Sequence, residues 1–278
     1  MTFALDHIVI NTLFDMDRAA DLLSQLGFTL TPRGTHSLGS INHLAMFEHD
    51  YLELVGLPSG TDALRKDVLE SPRGLNGLVF QAADIDTCQR TLRDSGLDML
   101  EPQSFSRPVT IDSVEHLARF RTVRTAPELF KAGRVYYCQH FTPELVWQRP
   151  WMSHPNGVRA LNELVIVSSN LEADVLRYSK AAQAAAERSG DDWTIGLSGS
   201  FRLTLISPAR YLERYGEQRV EGGGRRSFFG AIVFDSPDLA RIRDLASSVP
   251  DLRVGTNETS LAVLIPFLDT LLEFRERE

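Results

Sequence analysis

The same order of elements, strand then helix then strands, occurs four times along the chain, and this recurrence constrains the fold more than any other feature. The first copy opens at residues 5–11, LDHIVIN, an apolar β-branched run that reads as a strand. Asp15 is placed to cap a helix in which Met16, Ala19, Ala20, Leu22, Leu23 and Leu26 recur at helical spacing, and Gly27 ends it. Residues 28–31 are expected as a short strand, and 43–47 with 51–55 as a hairpin around Glu48, His49 and Asp50. The order returns with a strand at 75–81, a helix at 84–95 stopped by Gly96, and a β region from about 104 to 141. It returns again with a strand at 161–168, an Ala-rich helix over 171–188 stopped by Gly190, and strands at 193–197 and 201–206. The fourth copy has a strand at 228–234, a helix at 237–247, and β structure from Val254 that ends with 260–265 and 271–275. The segments LAMF…YLEL (from Leu44) and LAVL…LLEF (from Leu261) match, with Glu53 and Glu273 at equivalent points.

A small antiparallel piece with one helix cannot bury both of its sheet faces alone. Pairing two units covers one set of faces with helices and leaves a curved, concave sheet where a pocket forms. The expected fold class is therefore α+β, built of tandem βαβββ modules, four of them in two halves. Residues 148–159, QRPWMSHPNGVR, carry prolines, a glycine and little periodicity, and read as the linker. The expected division is 1–148, two modules holding the candidate site, and 159–278, a second, degenerate pair.

The charge balance narrows the partners. Acidic residues outnumber basic ones, 37 to 29, for a net charge of -8, which repels a phosphate backbone and argues against nucleic acid. The short basic groups Arg119, Arg121, Arg124 and Arg225, Arg226 read as solvated strand or loop edges. Cys88 and Cys138 are the only cysteines and lie in apolar-patterned segments, as buried free thiols do. No run approaches a membrane span of about 18 apolar residues, and residues 1–7 lack a basic region followed by an apolar stretch. A cytoplasmic location is expected, with a small-molecule substrate or ligand as partner, no nucleic acid, no membrane, and a homodimer as the oligomeric form to look for.

LDHIVIN, the helix closed by LGF (residues 26–28), NHLAMF (42–47) and YLELVG (51–56) together resemble the vicinal oxygen chelate (VOC) superfamily, and within it the glyoxalase-like, glyoxalase/bleomycin-resistance-like domains. The resemblance is strong over residues 3–56, extends through QHFTPELVW (from Gln139), and is weak in the second half. It implies paired βαβββ modules around a divalent metal, with a His on the first strand of a module and a Glu on the last. Carried over, His7 takes the first-strand place and Glu53 the last-strand place, while Gly77 stands where the second module would bring its His. His140, on the last strand of that module, is placed at or beside the position matching Glu53. His7, Glu53 and His140 would then offer two imidazoles and a carboxylate to Fe, Mn or Zn, with Glu53 or Glu144 as the catalytic base. Asn162 and Gly230 or Ala231 hold the first-strand His places of the second half, so its Glu273 reads as duplication without chemistry. Classical two-His ring cleavage is disfavoured for the same reason.

Plainer readings stand beside these. His7 in a strand can simply bond a neighbouring carbonyl, and Glu53, opposite Leu52 and Leu54 by strand alternation, faces either the cup or water. The run Gly222, Gly223, Gly224 lacks the context of a phosphate loop, Ser198, Gly199 and Ser200 read as a turn, and Trp147, Trp151 and His154 either line the cup or staple the halves. Two functions remain open: a metal-dependent enzyme of the isomerase, lyase or dioxygenase kind acting on a small oxygenated molecule, and a metal-free protein that binds or sequesters a small molecule, as resistance-type relatives do.

Overall fold

The computed structural model describes residues 2–62, 64–256 and 259–276. The first half runs β1 (Leu5–Leu13), α1 (Met16–Gln25), β2 (Gly34–His36), β3 (Ser40–Met46), β4 (Tyr51–Gly56), the single turn α2 (Lys66–Leu69), β5 (Gly74–Gln81), α3 (Ile85–Asp94), β6 (Gln103–Ile111), β7 (Val114–Arg124) and β8 (Arg134–His140). Its eight strands form one sheet in the order β2-β3-β4-β1-β5-β8-β7-β6. Within each module the first strand pairs parallel with the last, β1 with β4 and β5 with β8, and the two modules join through antiparallel β1 and β5.

The second half repeats this with β9 (Ala160–Val167), α4 (Leu171–Ala182), β10 (Ala186–Ser189), β11 (Asp192–Gly196), β12 (Arg202–Ile206), α5 (Pro208–Tyr215), β13 (Phe228–Asp235), α6 (Leu239–Ser247), β14 (Arg253–Thr256), β15 (Ser260–Ile265) and β16 (Thr270–Arg275). Its order, β10-β11-β12-β9-β13-β16-β15-β14, is that of the first sheet. This is the fold class that the recurring units require: α+β, βαβββ modules, four in two halves.

Strand alternation divides the apolar residues into layers. Ile8, Ile10, Leu52, Leu54, Leu78 and Phe80 turn to the helices, as do Leu164, Ile166, Ile232, Phe234, Leu272 and Phe274 of the second half. Both sets belong to one continuous core, so the halves share their helix-facing interior. Contacts across it include the Tyr137 hydroxyl donating to the Ala181 carbonyl at 2.8 Å, and Phe28 lying 5.5 Å from Phe234. The opposite faces line separate concavities, one containing Val9, Leu44, Val79 and Tyr136, the other Val165, Ala231, Val233 and Leu271.

Several local expectations are corrected. The helix read over 171–188 ends at Ala182, where Gln183 takes a left-handed φ of 51°, and residues 186–189 become edge strand β10. Alanine favours a helix there, but the terminal carbonyls of Ala181 and Ala182 are taken by Tyr137 and Phe3 of the first half, and tertiary packing overrides a propensity of tenths of a kcal/mol per residue. Residues 28–31 are not a strand; the Phe28 N–H closes α1 on the Leu23 carbonyl instead. Asp15 sits at the N-cap of α1 without a capping bond and pairs with Arg73. Helix α5, which was not foreseen, begins at Ser207-Pro208, where the Ser207 hydroxyl accepts from the Arg210 N–H.

The segment between the sheets is tied to the first half. His154 accepts from the Thr29 N–H at 3.0 Å and donates to the Met46 carbonyl at 2.9 Å, and the Asn156 amide donates to the Leu26 carbonyl at 2.9 Å. Gly27 is needed beneath it: its φ is 79°, and a Cβ there would lie 2.9 Å from the Asn156 backbone nitrogen. Among the described residues, no helix is long and apolar enough to cross a membrane.

Candidate functional site

His7 lies on β1 and Glu53 on β4, and the sheet brings both to the concavity of the first half. Glu53 alternates with Leu52 and Leu54, which the helix-facing core holds, so its carboxylate turns into the cup. Asp6 arrives by a different route. The β1–β5 register places Leu5 opposite Phe80 and His7 opposite Val79, so the strand bulges at Asp6. The bulge sets the Asp6 carboxylate 2.5 Å from His7 Nδ1 and 2.9 Å from His140 Nε2.

This cluster has a definite charge pattern. Asp6 is fully buried; burial alone would raise its pKa, but His140 and His7 outweigh that and hold the carboxyl well below its ordinary range. An ionised carboxylate only accepts, so His7 carries a proton on Nδ1 and His140 on Nε2. His7 Nε2 is then left facing Glu53 Oε2 at 3.5 Å. Burial likewise pushes Glu53 upward, and His7, His36 and the Asn42 amide, which donates to Oε1 at 2.8 Å, bring it below its usual value. The His7 ring is also stacked on Tyr51, with centroids 4.4 Å apart.

The cavity beside this pair measures about 30 Å³ and is closed by Arg65, Arg107 and Phe105. Arg107 is 4% exposed and its Nη2 has no partner among the described residues. Burial lowers its pKa, opposed by Tyr51 and Glu53. Arg65 is turned to Asp67, 2.9 Å away. His36 is pushed down to about 4 by burial and is therefore neutral near pH 7, exchanging a hydrogen bond with Ser40 Oγ at 2.9 Å.

His7 and Glu53 thus face one another, while Asp6 stands between His7 and His140. His140 packs edge-on against Phe120 and Trp147 and does not line the cavity. In register, Val9 opposes Glu53 and Val79 opposes Tyr136, so the residue matching Glu53 in the second module is Tyr136 rather than His140. Gly77 leaves room for Val9, whose Cγ2 would lie 2.7 Å from a Cβ added there. Glu144 is exposed on a 3-10 turn (Pro143–Leu145), outside the cavity lining. A second set of donors, Asp6, Cys138 and His140, has ligand atoms all within 4.8 Å of one another. Burial, with Asp6 and Glu53 adding to it, raises the Cys138 thiol far above its usual pKa. Asp6, His36, Asn42, Arg65 and Arg107 were not anticipated; only the adjacency of Asp6 to His7 was a usable signal.

The corresponding cup of the second half carries ion pairs along a cavity of about 390 Å³ that Arg214, Tyr215, Glu273 and Arg275 help to line. Glu163 opposes Val233 as His7 opposes Val79, so Glu163, not Asn162, takes the first-strand place. Glu273 opposes Val233 as Glu53 opposes Val9, in keeping with their sequence match. Arg202 meets Glu163 at 2.7 Å, and Arg214 of α5 meets both carboxylates at 3.0 Å. Arg275 and the Tyr215 hydroxyl complete the network on Glu273, at 2.8 and 2.6 Å.

Comparison with known proteins gives a consistent picture. The family described as Glyoxalase-like domain matches residues 5–182. No curated protein matches significantly. Among solved structures, a hypothetical protein from Staphylococcus aureus aligns with a TM-score of 0.69 at 12% identity, covering 99% of this chain and 100% of its own. A xylose isomerase-like TIM barrel/4-hydroxyphenylpyruvate dioxygenase fusion protein aligns at 0.60 and 14% identity, over 100% of this chain and 50% of its own. A mutant of 4-hydroxymandelate synthase from Streptomyces coelicolor aligns at 0.58 and 13% identity, over 100% of this chain and 93% of its own. At such identities the likeness is one of fold.

Proposed function

This chain belongs to the glyoxalase-like domain family, and from that premise we propose that its first-half cup is the divalent-metal site of an enzyme acting on a small, anionic, oxygenated molecule. One observation carries the reading. His7 is clamped through Nδ1 by a buried carboxylate and turns its Nε2 toward a second carboxylate. In the neutral Nδ1–H tautomer that Nε2 presents a lone pair to an anion, an arrangement that a cation between them completes.

The donors suit one. A separation of 3.5 Å between His7 Nε2 and Glu53 Oε2 is compatible with two ligands at about 2.0–2.2 Å from one tetrahedral ion. Asp6 plays the part of the carboxylate that fixes the ring and tautomer of a metal-bound histidine. His140 enters this scheme behind Asp6, sharing its charge. Gly77 and Tyr136 stand where the second module would bring a His and a carboxylate matching His7 and Glu53, so other coordination sites stay open to a substrate. A bound Fe, Mn or Zn ion would polarise adjacent oxygens of a carbonyl or enediolate. The unpartnered Arg107 guanidinium is placed to orient an anionic oxygen, and Glu53 to hold or release a proton beside it. The cavity of about 30 Å³ has room for an ion or a water but not a substrate body, so the ligand must extend past the Arg65 and Arg107 wall.

The second reading, a metal-free binding protein, is favoured by the same pair if a proton instead of a cation lies between His7 and Glu53. Equilibrium dialysis separates them. Wild type should take up Mn(II) or Zn(II), and Glu53→Gln, which keeps shape and loses the anion, should weaken uptake at least tenfold. No uptake by wild type would favour the metal-free reading, and equal uptake by the two proteins would place the ion away from Glu53.

A further inference from the structure

A second cavity lies outside the cup. It measures about 350 Å³ and runs along β8, α2 and the 125–133 loop, with Arg225 of the second half on its border. That is within the range of small-molecule pockets, roughly 300–1,000 Å³. Pro72, Pro127, Phe130 and Val135 give it an apolar lining.

Its charges are unbalanced in one direction. The single carboxylate of Asp67 faces three guanidiniums: Arg65 at 2.9 Å, and Arg124 and Arg134 at 3.0 Å. Burial alone would raise the Asp67 pKa, but those three arginines outweigh it and hold the carboxyl at about 2, so it is ionised and fully engaged. Arg134 also donates to Asn76 Oδ1, yet its buried Nη2 has no partner among the described residues. Arg225 is half-buried and, among the described residues, donates to the carbonyls of Gly222 and Ala132, at 2.8 and 3.1 Å, with Asp269 near enough to act on its charge. Lys131 and Glu70 at the border are exposed. In a chain of net charge -8, positive charge gathered over an apolar surface marks a place for an anion that has an apolar body.

We propose that this cleft binds an organic carboxylate, with its head on Arg134 and Arg225 and its aliphatic or aromatic body over Phe130 and the two prolines. With Nε and Nη1 of both arginines engaged, each offers its Nη2 to an oxygen of the head, and the low exposure around Arg134 strengthens the pairing. Tyr136 and the Arg65–Asp67 pair stand between this cleft and the cup, so the site is separate from the one formed by His7 and Glu53.

The test is calorimetric titration of hexanoate, hexan-1-ol and inorganic phosphate into the full chain at low salt. Hexanoate should bind, while the alcohol and phosphate should each bind at least tenfold more weakly. Arg225→Gln should weaken hexanoate about tenfold, the worth of one charged hydrogen bond. Arg134→Gln should do the same, and the exposed neighbour, Arg226→Gln, should bind as wild type does. Glu53→Gln should leave hexanoate affinity unchanged. The proposal falls if hexanoate gives no binding, if hexan-1-ol or phosphate binds equally well, or if Arg225→Gln has no effect. It also falls if Glu53→Gln abolishes binding, because the carboxylate would then be in the cup.

Discussion

Replacing Asp6 by Asn removes one charge and almost no volume, at a point where the structure concentrates three titratable side chains. The Asp6 carboxylate accepts from His7 at 2.5 Å and from His140 at 2.9 Å, with no exposure to solvent. Charge-assisted hydrogen bonds contribute about 1.5–3 kcal/mol each. Asparagine can accept from one ring but turns its own N–H groups toward the other, so one bond is lost outright and both lose their charge. The combined cost should be about 3 kcal/mol, at the lower end for breaking a buried charged network. With a urea dependence of about 3 kcal/mol per molar, the unfolding midpoint should fall by about 1 M. Urea unfolding followed by far-UV circular dichroism at pH 7, on wild type, Asp6→Asn, His140→Gln and the double mutant, measures this. The double mutant should be less destabilised than the two single losses combined, by about 1 kcal/mol or more. The sign with pH follows from the depressed Asp6 pKa. Its stabilisation is present above the ordinary carboxylate pKa of about 4 and is lost as pH falls below it, so the wild-type advantage should shrink on acidification. A midpoint shift under about 0.2 M, or strict additivity, would refute the argument that Asp6 binds both histidines.

Three further outcomes are expected. Asp50 is raised to about 7, chiefly by burial, so the native state keeps a proton that the unfolded chain releases; wild-type stability should therefore fall between about pH 4 and 7, and Asp50→Asn, followed by thermal unfolding, should remove about 3 kcal/mol of that fall. Arg214→Met leaves Glu163 and Glu273 short of their shared partner; stability should drop by about 3 kcal/mol in urea, with metal uptake unaltered. Gly77→Ala drives a Cβ to 2.7 Å from Val9 Cγ2, and should cost about 1–3 kcal/mol in the same assay.

The modules were readable in the sequence because strand alternation, helical spacing and glycine stops are local, and each copy corroborated the others. Helix α4 shows the limit: its alanines extend a helical pattern past Ala182, while the residues that end it, Phe3 and Tyr137, lie far away in sequence. The site divides in the same way. His7 and Glu53 were legible as side chains on strands of one module, and both line the first-half cavity. The relation of His140 to Asp6 was hidden because it depends on a bulge, which shifts a side chain across the sheet without changing composition. Register, too, assigns Tyr136 where a donor had been sought and Glu163 where Asn162 had been placed. Arg65 and Arg107 reach the cup from elements whose polarity reads as ordinary surface, so no periodicity points to them.

The proposed metal site is tested most directly by the X-ray absorption spectrum of the protein loaded with one equivalent of Zn(II) or Co(II). Ligation by His7 and Glu53 predicts a shell of nitrogen and oxygen only, at about 2.0–2.2 Å, with imidazole scattering that disappears in His7→Ala. A sulfur at about 2.3 Å would place the ion on Asp6, Cys138 and His140 instead, and failure to take up either ion would contradict a metal site in the cup altogether.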